Sequence, residues 1–189
     1  VIHTDKNGST APSTVITGGT FKNLCTKTTA WTVRAANAAA GSTSVSGGSF
    51  NKKVNESYWA EGCILVTNSN GTYGIKEGKY VAKVGATNYE TFEEAVKKAA
   101  SGKTITLLDD ISLSSTVTIN KKVTIDLNQK TLTGTDKYIL NIGAKGNVTI
   151  KNGTINVSDS GSAITAYGTL ALNDVDITGK ATDYSLLYV

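Results

Sequence analysis

Apolar and polar residues alternate along this chain in short bursts rather than in helical stripes. VTIKNGTI from Val148, LALNDVDI from Leu170, TVITGGTF from Thr14 and TSVSGGSF from Thr43 follow one plan: an alternating run, a small or polar turn pair, then a further alternating apolar residue. Val123, Ile125 and Leu127 alternate with Thr124 and Asp126 in the same manner. Alternation with period two predicts half-buried strands. The bursts also recur: Val148 follows Val123 by 25 residues, Leu170 follows Val148 by 22, and Thr43 follows Thr14 by 29.

Hairpins account for alternation but not for a period in the twenties. Parallel coils account for both, because each rung of two or three short strands then lies ~4.8 Å above the last and like residues stack on like. Val falls on Val inside and Thr on Thr outside, with Asn152-Gly153 and Gly18-Gly19 at corners where positive φ is easiest. The predicted fold is all-β, a right-handed parallel β-helix; a β-sandwich of ordinary hairpins is the alternative.

One segment departs from this pattern. In TFEEAVKKAASG, Thr91 and Glu94 make a capping box, and Phe92, Ala95, Val96 and Ala99 share a face. A short capping α-helix is predicted near residues 91–100, stopped by Gly102, with Phe92, Val96 and Ala99 covering the apolar end of the first coil. YVAKVGATNYE before it reads as a hairpin around Ala86-Thr87-Asn88.

Composition supports strands. The 189 residues are 18% charged, below the ~25% usual for soluble domains. Thr, Ser, Asn and Gly make up the difference, and they favour strands and tight turns. The net charge of +4 comes from scattered lysines with no basic block, which argues against nucleic acid as a partner. No apolar run approaches the ~20 residues of a membrane span. A chain that opens on Val1 and lacks methionine reads as a processed product or an excised fragment. Cys25 and Cys63 are a candidate disulfide in an oxidising compartment, with two buried thiols as the alternative.

The stretch Lys79–Gly134, KYVAKVGATNYETFEEAVKKAASGKTITLLDDISLSSTVTINKKVTIDLNQKTLTG, resembles the opening of β-helix modules in large adhesin-like surface proteins of Gram-positive gut bacteria, loosely pectate-lyase-like. VSGGSF from Val45 and YWAEGCILVTNSNGTYGI from Tyr58 resemble the closing segment of the same modules. The resemblance covers nearly the whole chain and implies cell-surface display more than any chemistry. Its order is inverted here: closing rungs and a hairpin occupy 1–78, and the cap and opening rungs occupy 79–189.

Joined end to beginning, YSLLYV and VIHTD would form one strand, which makes Val1, Ile2, Leu186, Leu187, Tyr188 and Val189 the candidate joint between modules. Three arrangements would cover the two raw faces. Identical copies could stack head to tail into a fibre. The chain could fold back on itself, given a linker of about nine extended residues across roughly 29 Å. Or adjacent tandem modules could continue the coil.

Candidate chemistry is sparse. His3 is the single histidine, and no nucleophile elbow or metal-binding spacing accompanies it, so no metal or cofactor is expected. Asp174 and Asp176 alternate with Val175 and would share a strand face ~6.5–7 Å apart, within the range of an inverting glycosidase pair; Asp174 also suits a turn corner. Asp109-Asp110 suits a turn between rungs. Tyr58 and Trp59, near Tyr73, Tyr80 and Tyr89, either stack on sugars or seal the joint between modules. The expected function is a non-enzymatic, extracellular structural module, a filament subunit or a stalk repeat. A carbohydrate-binding or polysaccharide-cleaving solenoid, on host or microbial glycans, is the alternative, and a phage fibre or decoration protein would use the same physics.

Overall fold

The computed structural model describes residues 2–5, 13–27, 30–36, 43–136, 138–157, 161–179 and 185–189. The described residues form strands and one α-helix, and the chain divides into two compact units, Val1–Lys79 and Tyr80–Val189.

The first unit contains β1 (Ile2–Asp5), β2 (Thr14–Ile16), β3 (Thr20–Phe21), β4 (Val33–Ala36), β5 (Thr43–Val45), β6 (Ser49–Phe50), β7 (Cys63–Thr67) and β8 (Tyr73–Glu77), with a 3-10 turn at Glu56–Tyr58. β1 pairs β4, β2 pairs β5 and β3 pairs β6, all parallel, so two rungs lie one on the other. Thr14 stands opposite Thr43 and Phe21 opposite Phe50, the 29-residue offset of the sequence repeat. The two phenylalanine rings stack at 5.0 Å and 11°. The hairpin β7–β8 then closes the β6 edge antiparallel. Ile16, Val33, Val45, Phe50, Val54 and Ile75 form the core of this unit.

The second unit contains β9 (Ala82–Val84), β10 (Thr87–Tyr89), α1 (Phe92–Lys98), β11 (Lys103–Leu107), β12 (Ile111–Leu113), β13 (Val117–Ile119), β14 (Lys122–Asp126), β15 (Thr131–Gly134), β16 (Tyr138–Ile142), β17 (Asn147–Val157), β18 (Ser162–Ala166), β19 (Thr169–Gly179) and β20 (Leu187–Tyr188). It is a parallel β-solenoid of about three turns. One ladder runs β11, β14, then the first halves of β17 and β19. A second runs β12, β15, then their second halves. A third runs β13, β16, β18, β20. Val123 lies opposite Val148 and Val148 opposite Leu170, as the sequence spacing requires. This parallel in-register pairing excludes the sandwich alternative.

Stacking sorts the side chains. Ile105, Ile125 and Ile150 form a fully buried inner column, and Leu107, Leu132, Leu140, Ile142 and Ile155 complete the core beside it. Thr104, Thr124 and Thr149 stack on the outer face. Corners between the first and second ladders need left-handed backbone, and polar residues supply it: Asn128 and Gln129 at φ 52° and 61°, Asn152 at 61°, Asp174 at 54°. Successive corners are laced together, Gln129 N–H donating to the Asn152 carbonyl at 2.7 Å and Asn128 Nδ2 to the Leu107 carbonyl at 3.0 Å.

The start of this solenoid is finished by three devices. β9 pairs antiparallel with β11 and β10 pairs with β9, covering the edge of the first ladder; this is the hairpin expected around Ala86. α1 begins with Thr91 Oγ1 accepting the Glu94 N–H at 3.1 Å, the front half of the capping box. It ends at Lys98 with Ala99 as C-cap, earlier than Gly102, which instead turns into β11 and donates its N–H to the Lys122 carbonyl. Lys121 Nζ reaches across from the next rung to the Ala99 and Lys97 carbonyls, a cation at the helix C-terminus.

Candidate functional site

Among the described residues, β1, β2 and β3 in the first unit and β19 and β20 in the second each have a single strand neighbour and no hairpin or helix packed over them, whereas the β7–β8 hairpin pairs with β6 and the β9–β10 hairpin pairs with β11. The consequence is clearest along the first and second ladders of the second unit. Val148, Ile150 and Ile155 are 0% exposed, whereas Leu170, Leu172 and Ile177, their register partners one rung later, are only partly buried. Of the candidate joint residues, Ile2 packs partly against the first core, and Leu186 and Leu187 partly against the second. Tyr188 and Val189 are 57% and 81% exposed, and Val1 lies outside the described residues.

Phe92, Val96 and Ala99 are buried with Ala95 in the same core as the coil strands. Beside them a groove of about 490 Å³ runs between α1 and β13, lined by Glu93, Val96, Lys97, Thr116, Val117, Thr118, Asn120 and Lys121.

The acidic pair is not what alternation predicted. Asp174 has left-handed φ, and the register runs from Lys151–Asn173 to Gly153–Val175 without it. Leu172 and Val175 both pack inward on either side of this corner, so the pleat is interrupted between the two carboxylates. Both are exposed, and Asp174 serves the corner. Asp109 and Asp110 lie at the bend from β11 to β12, inside the first rung rather than between rungs as expected, and Asp110 Oδ1 accepts the Thr131 N–H of the next rung at 2.8 Å. His3 is exposed and stands opposite the exposed Arg34. Among the described residues no three His, Cys, Asp or Glu side chains are grouped to hold a metal ion, and no helix is long and apolar enough to cross a membrane.

Tyr58 and Trp59 pack against the first core, with Trp59 Nε1 donating to the Val54 carbonyl at 3.2 Å and its backbone bridging to Val45. Their rings are therefore engaged inside the unit. Cys25 and Cys63 are both free thiols, which corrects the disulfide expectation. Cys25 is exposed on the segment after β3, its N–H held by Asn23 Oδ1, so it is not a buried thiol either; Cys63 opens β7 in the closing hairpin.

A different aromatic site went unread in the sequence. Thr26, Lys27, Ala30, Trp31, Asn51, Lys52, Lys53 and Tyr73 line a cleft of about 490 Å³. Trp31 is 46% exposed, and Lys53 Nζ sits 5.6 Å from the Tyr73 ring centre. Its wall is tied down by Asn51, which accepts the Asn23 N–H and donates to the Asn23 carbonyl. Asn23 Nδ2 donates in turn to the Trp31 carbonyl, and Lys52 Nζ donates to the Cys25 and Lys27 carbonyls. The available signal was an asparagine following each Gly-Gly-Ser/Thr-Phe rung, Asn23 and Asn51.

Asp126, on the outer face where β14 meets the corner, is a carboxylate with a shifted pKa. Burial pushes it up, but hydrogen bonds from Asn152 Nδ2, Lys151 Nζ and the Asn128 N–H, with the Lys151 charge, hold it below the usual carboxylate range. It is a structural clasp between rungs. Comparison with protein-family models, with curated proteins and with solved structures finds no match to the chain.

Proposed function

We propose that this chain is a non-enzymatic, extracellular structural module that lengthens a solenoid by strand stacking, as a filament subunit or as a repeat of a surface stalk. The observation that carries the reading is the half-covered last rung: Leu170, Leu172 and Ile177 repeat a pattern that is fully buried one rung earlier. An apolar, hydrogen-bonding face of this kind is a template for pairing with a further rung. Resemblance to adhesin-like modules supports the surface location. Stiffness would follow from continuous pairing along the axis.

Linker length favours partners from outside the chain over folding back. Along β8–β6–β3, one joint spacing, and β19–β17–β14–β11–β9 there are seven strand spacings, about 34 Å at ~4.8 Å each. Gly78–Val81, between β8 and β9, carry the chain at most about 18 Å. Sedimentation of the purified chain should give species heavier than the 19.7 kDa monomer that grow with concentration. A single 19.7 kDa species throughout would overturn the reading.

The Trp31 cleft favours a second reading, in which the module also contacts carbohydrate. An exposed indole beside three lysines and no carboxylate suits an acidic sugar. Binding of oligogalacturonate, lost on Trp31→Ala, would support it; equal binding by the variant would remove it.

A further inference from the structure

We propose one specific register for the joint: strand Thr169–Gly179 of one copy seats on Thr14–Lys22 of another, with Leu170, Leu172 and Ile177 over Thr14, Ile16 and Phe21. The assignment rests on the stacking reading above. Its first support is a glycine that the first unit does not need. In closed rungs the missing side chain of a corner glycine makes room for the backbone of the rung before. A Cβ on Gly47 would overlap the Thr17 carbonyl oxygen, one on Gly168 would overlap that of Gly146, and those on Gly146 and Gly153 would lie 2.6 Å from the Ile119 and Lys130 oxygens. Gly18 holds in the first rung the place Gly47 holds in the second, and a Cβ there would meet nothing within 4 Å. A glycine costs conformational entropy on folding, and neither left-handed φ nor crowding within the unit calls for it at this position. It is accounted for if another rung's corner carbonyl fills the space. The oxygen that meets Gly47 belongs to the fourth residue of its octet, Thr17; the fourth residue of LALNDVDI is Asn173.

The faces also match in pattern and in charge. Aligning the octets places Asp176 opposite Thr20 and Thr178 opposite Lys22, so Asp176 and Lys22 become diagonal neighbours on the outer face. Asp174 and Asp176 are the charged side chains within 161–179 and 185–189, and Lys22 and Lys27 are those within 13–27. Across this pair of strands the carboxylate of Asp176 thus meets the ammonium of Lys22. Because Gly78–Val81 are too short to bring a chain's own last rung onto its first, the occupant is a second copy.

Two experiments test the register, in a Cys25→Ser, Cys63→Ser background. Chains carrying Thr20→Cys, mixed with chains carrying Asp176→Cys, should form a disulfide-linked dimer under mild oxidation, since directly paired strand residues lie within bridging distance. Thr20→Cys mixed with Thr178→Cys should link at least tenfold more slowly. Gly18→Val should raise the concentration needed for assembly at least tenfold while leaving the thermal unfolding midpoint unchanged. Assembly that persists in Gly18→Val without the Thr20–Asp176 link would overturn the register and leave stacking intact. A wild-type chain that never assembles would overturn both.

Discussion

The second unit has two ends made of the same kind of strand and finished in opposite ways. At its start, β11 is covered by the β9–β10 hairpin, and the apolar end of the coil is covered by Phe92, Ala95, Val96 and Ala99. At its last rung, β19 presents Leu170, Leu172, Val175 and Ile177 with no strand beyond them among the described residues. ITL at Ile105 and LAL at Leu170 carry the same inward alternation, yet Ile105 and Leu107 are fully buried and the leucines of β19 are not. Alternation therefore specifies which way a side chain points, and the neighbouring rung specifies whether it leaves water. In a solenoid these are separate properties, because each rung relies on the next one for half of its cover.

The contrast predicts unequal costs for similar truncations. Phe92→Ala, which empties the cap, should destabilise the chain by about 3–5 kcal/mol in urea unfolding, and a cost under about 1 kcal/mol would mean the helix is dispensable as a cover. Ile150→Ala, in a closed rung, should cost about 2–5 kcal/mol, whereas Leu172→Ala, its register partner in the open rung, should cost about 1 kcal/mol in dilute solution. Raising the protein concentration should narrow that gap if assembly covers the rung; equal costs in dilute solution would erase the distinction between the two ends. Thr91→Ala removes the oxygen that holds the Glu94 N–H and should cost about 1 kcal/mol, read as a lower unfolding midpoint.

Much of this architecture was legible because repetition announces itself. The offsets from Val123 to Val148 to Leu170, and from Thr14 to Thr43, are the observed strand registers, and Thr91–Glu94 marked the helix start. What escaped depended on backbone handedness or on partners distant in sequence. Asp174 and Asp176 looked like a pair because i and i+2 share a face on a straight strand, and one left-handed residue undid that. The backbone leaves helical geometry at Ala99 rather than at Gly102, and Lys121 from the next rung takes the freed carbonyls. The Trp31 cleft is built by Asn51 and Lys52 reaching back 25 to 28 residues to Asn23, Cys25 and Lys27, contacts that no local pattern records.

Closed rungs are also clasped on their outer face, and the smallest predicted effect concerns that clasp. Asp126 lies opposite Lys151 in the ladder, with Lys151 Nζ 3.1 Å from Oδ2 and Asn152 Nδ2 3.1 Å from Oδ1. Its next partner up the column is Asn173, in the open rung, where no such carboxylate recurs. The folded-state pKa of Asp126 lies below its ordinary value of 3.8. A depressed carboxyl pKa contributes stability that is present above the unfolded-state pKa and is lost as pH falls through the folded-state value. Asp126→Asn does not titrate, so the stability difference between wild type and variant should be constant above about pH 5 and shrink below about pH 4. Its ceiling is about 1 kcal/mol, because the Lys151 and Asp126 side chains are 37% and 20% exposed and water screens the pair. A difference that widened as the solution was acidified would mean that the burial of Asp126, rather than its partners, governs the group, and the corner would then be a strained site instead of a clasp.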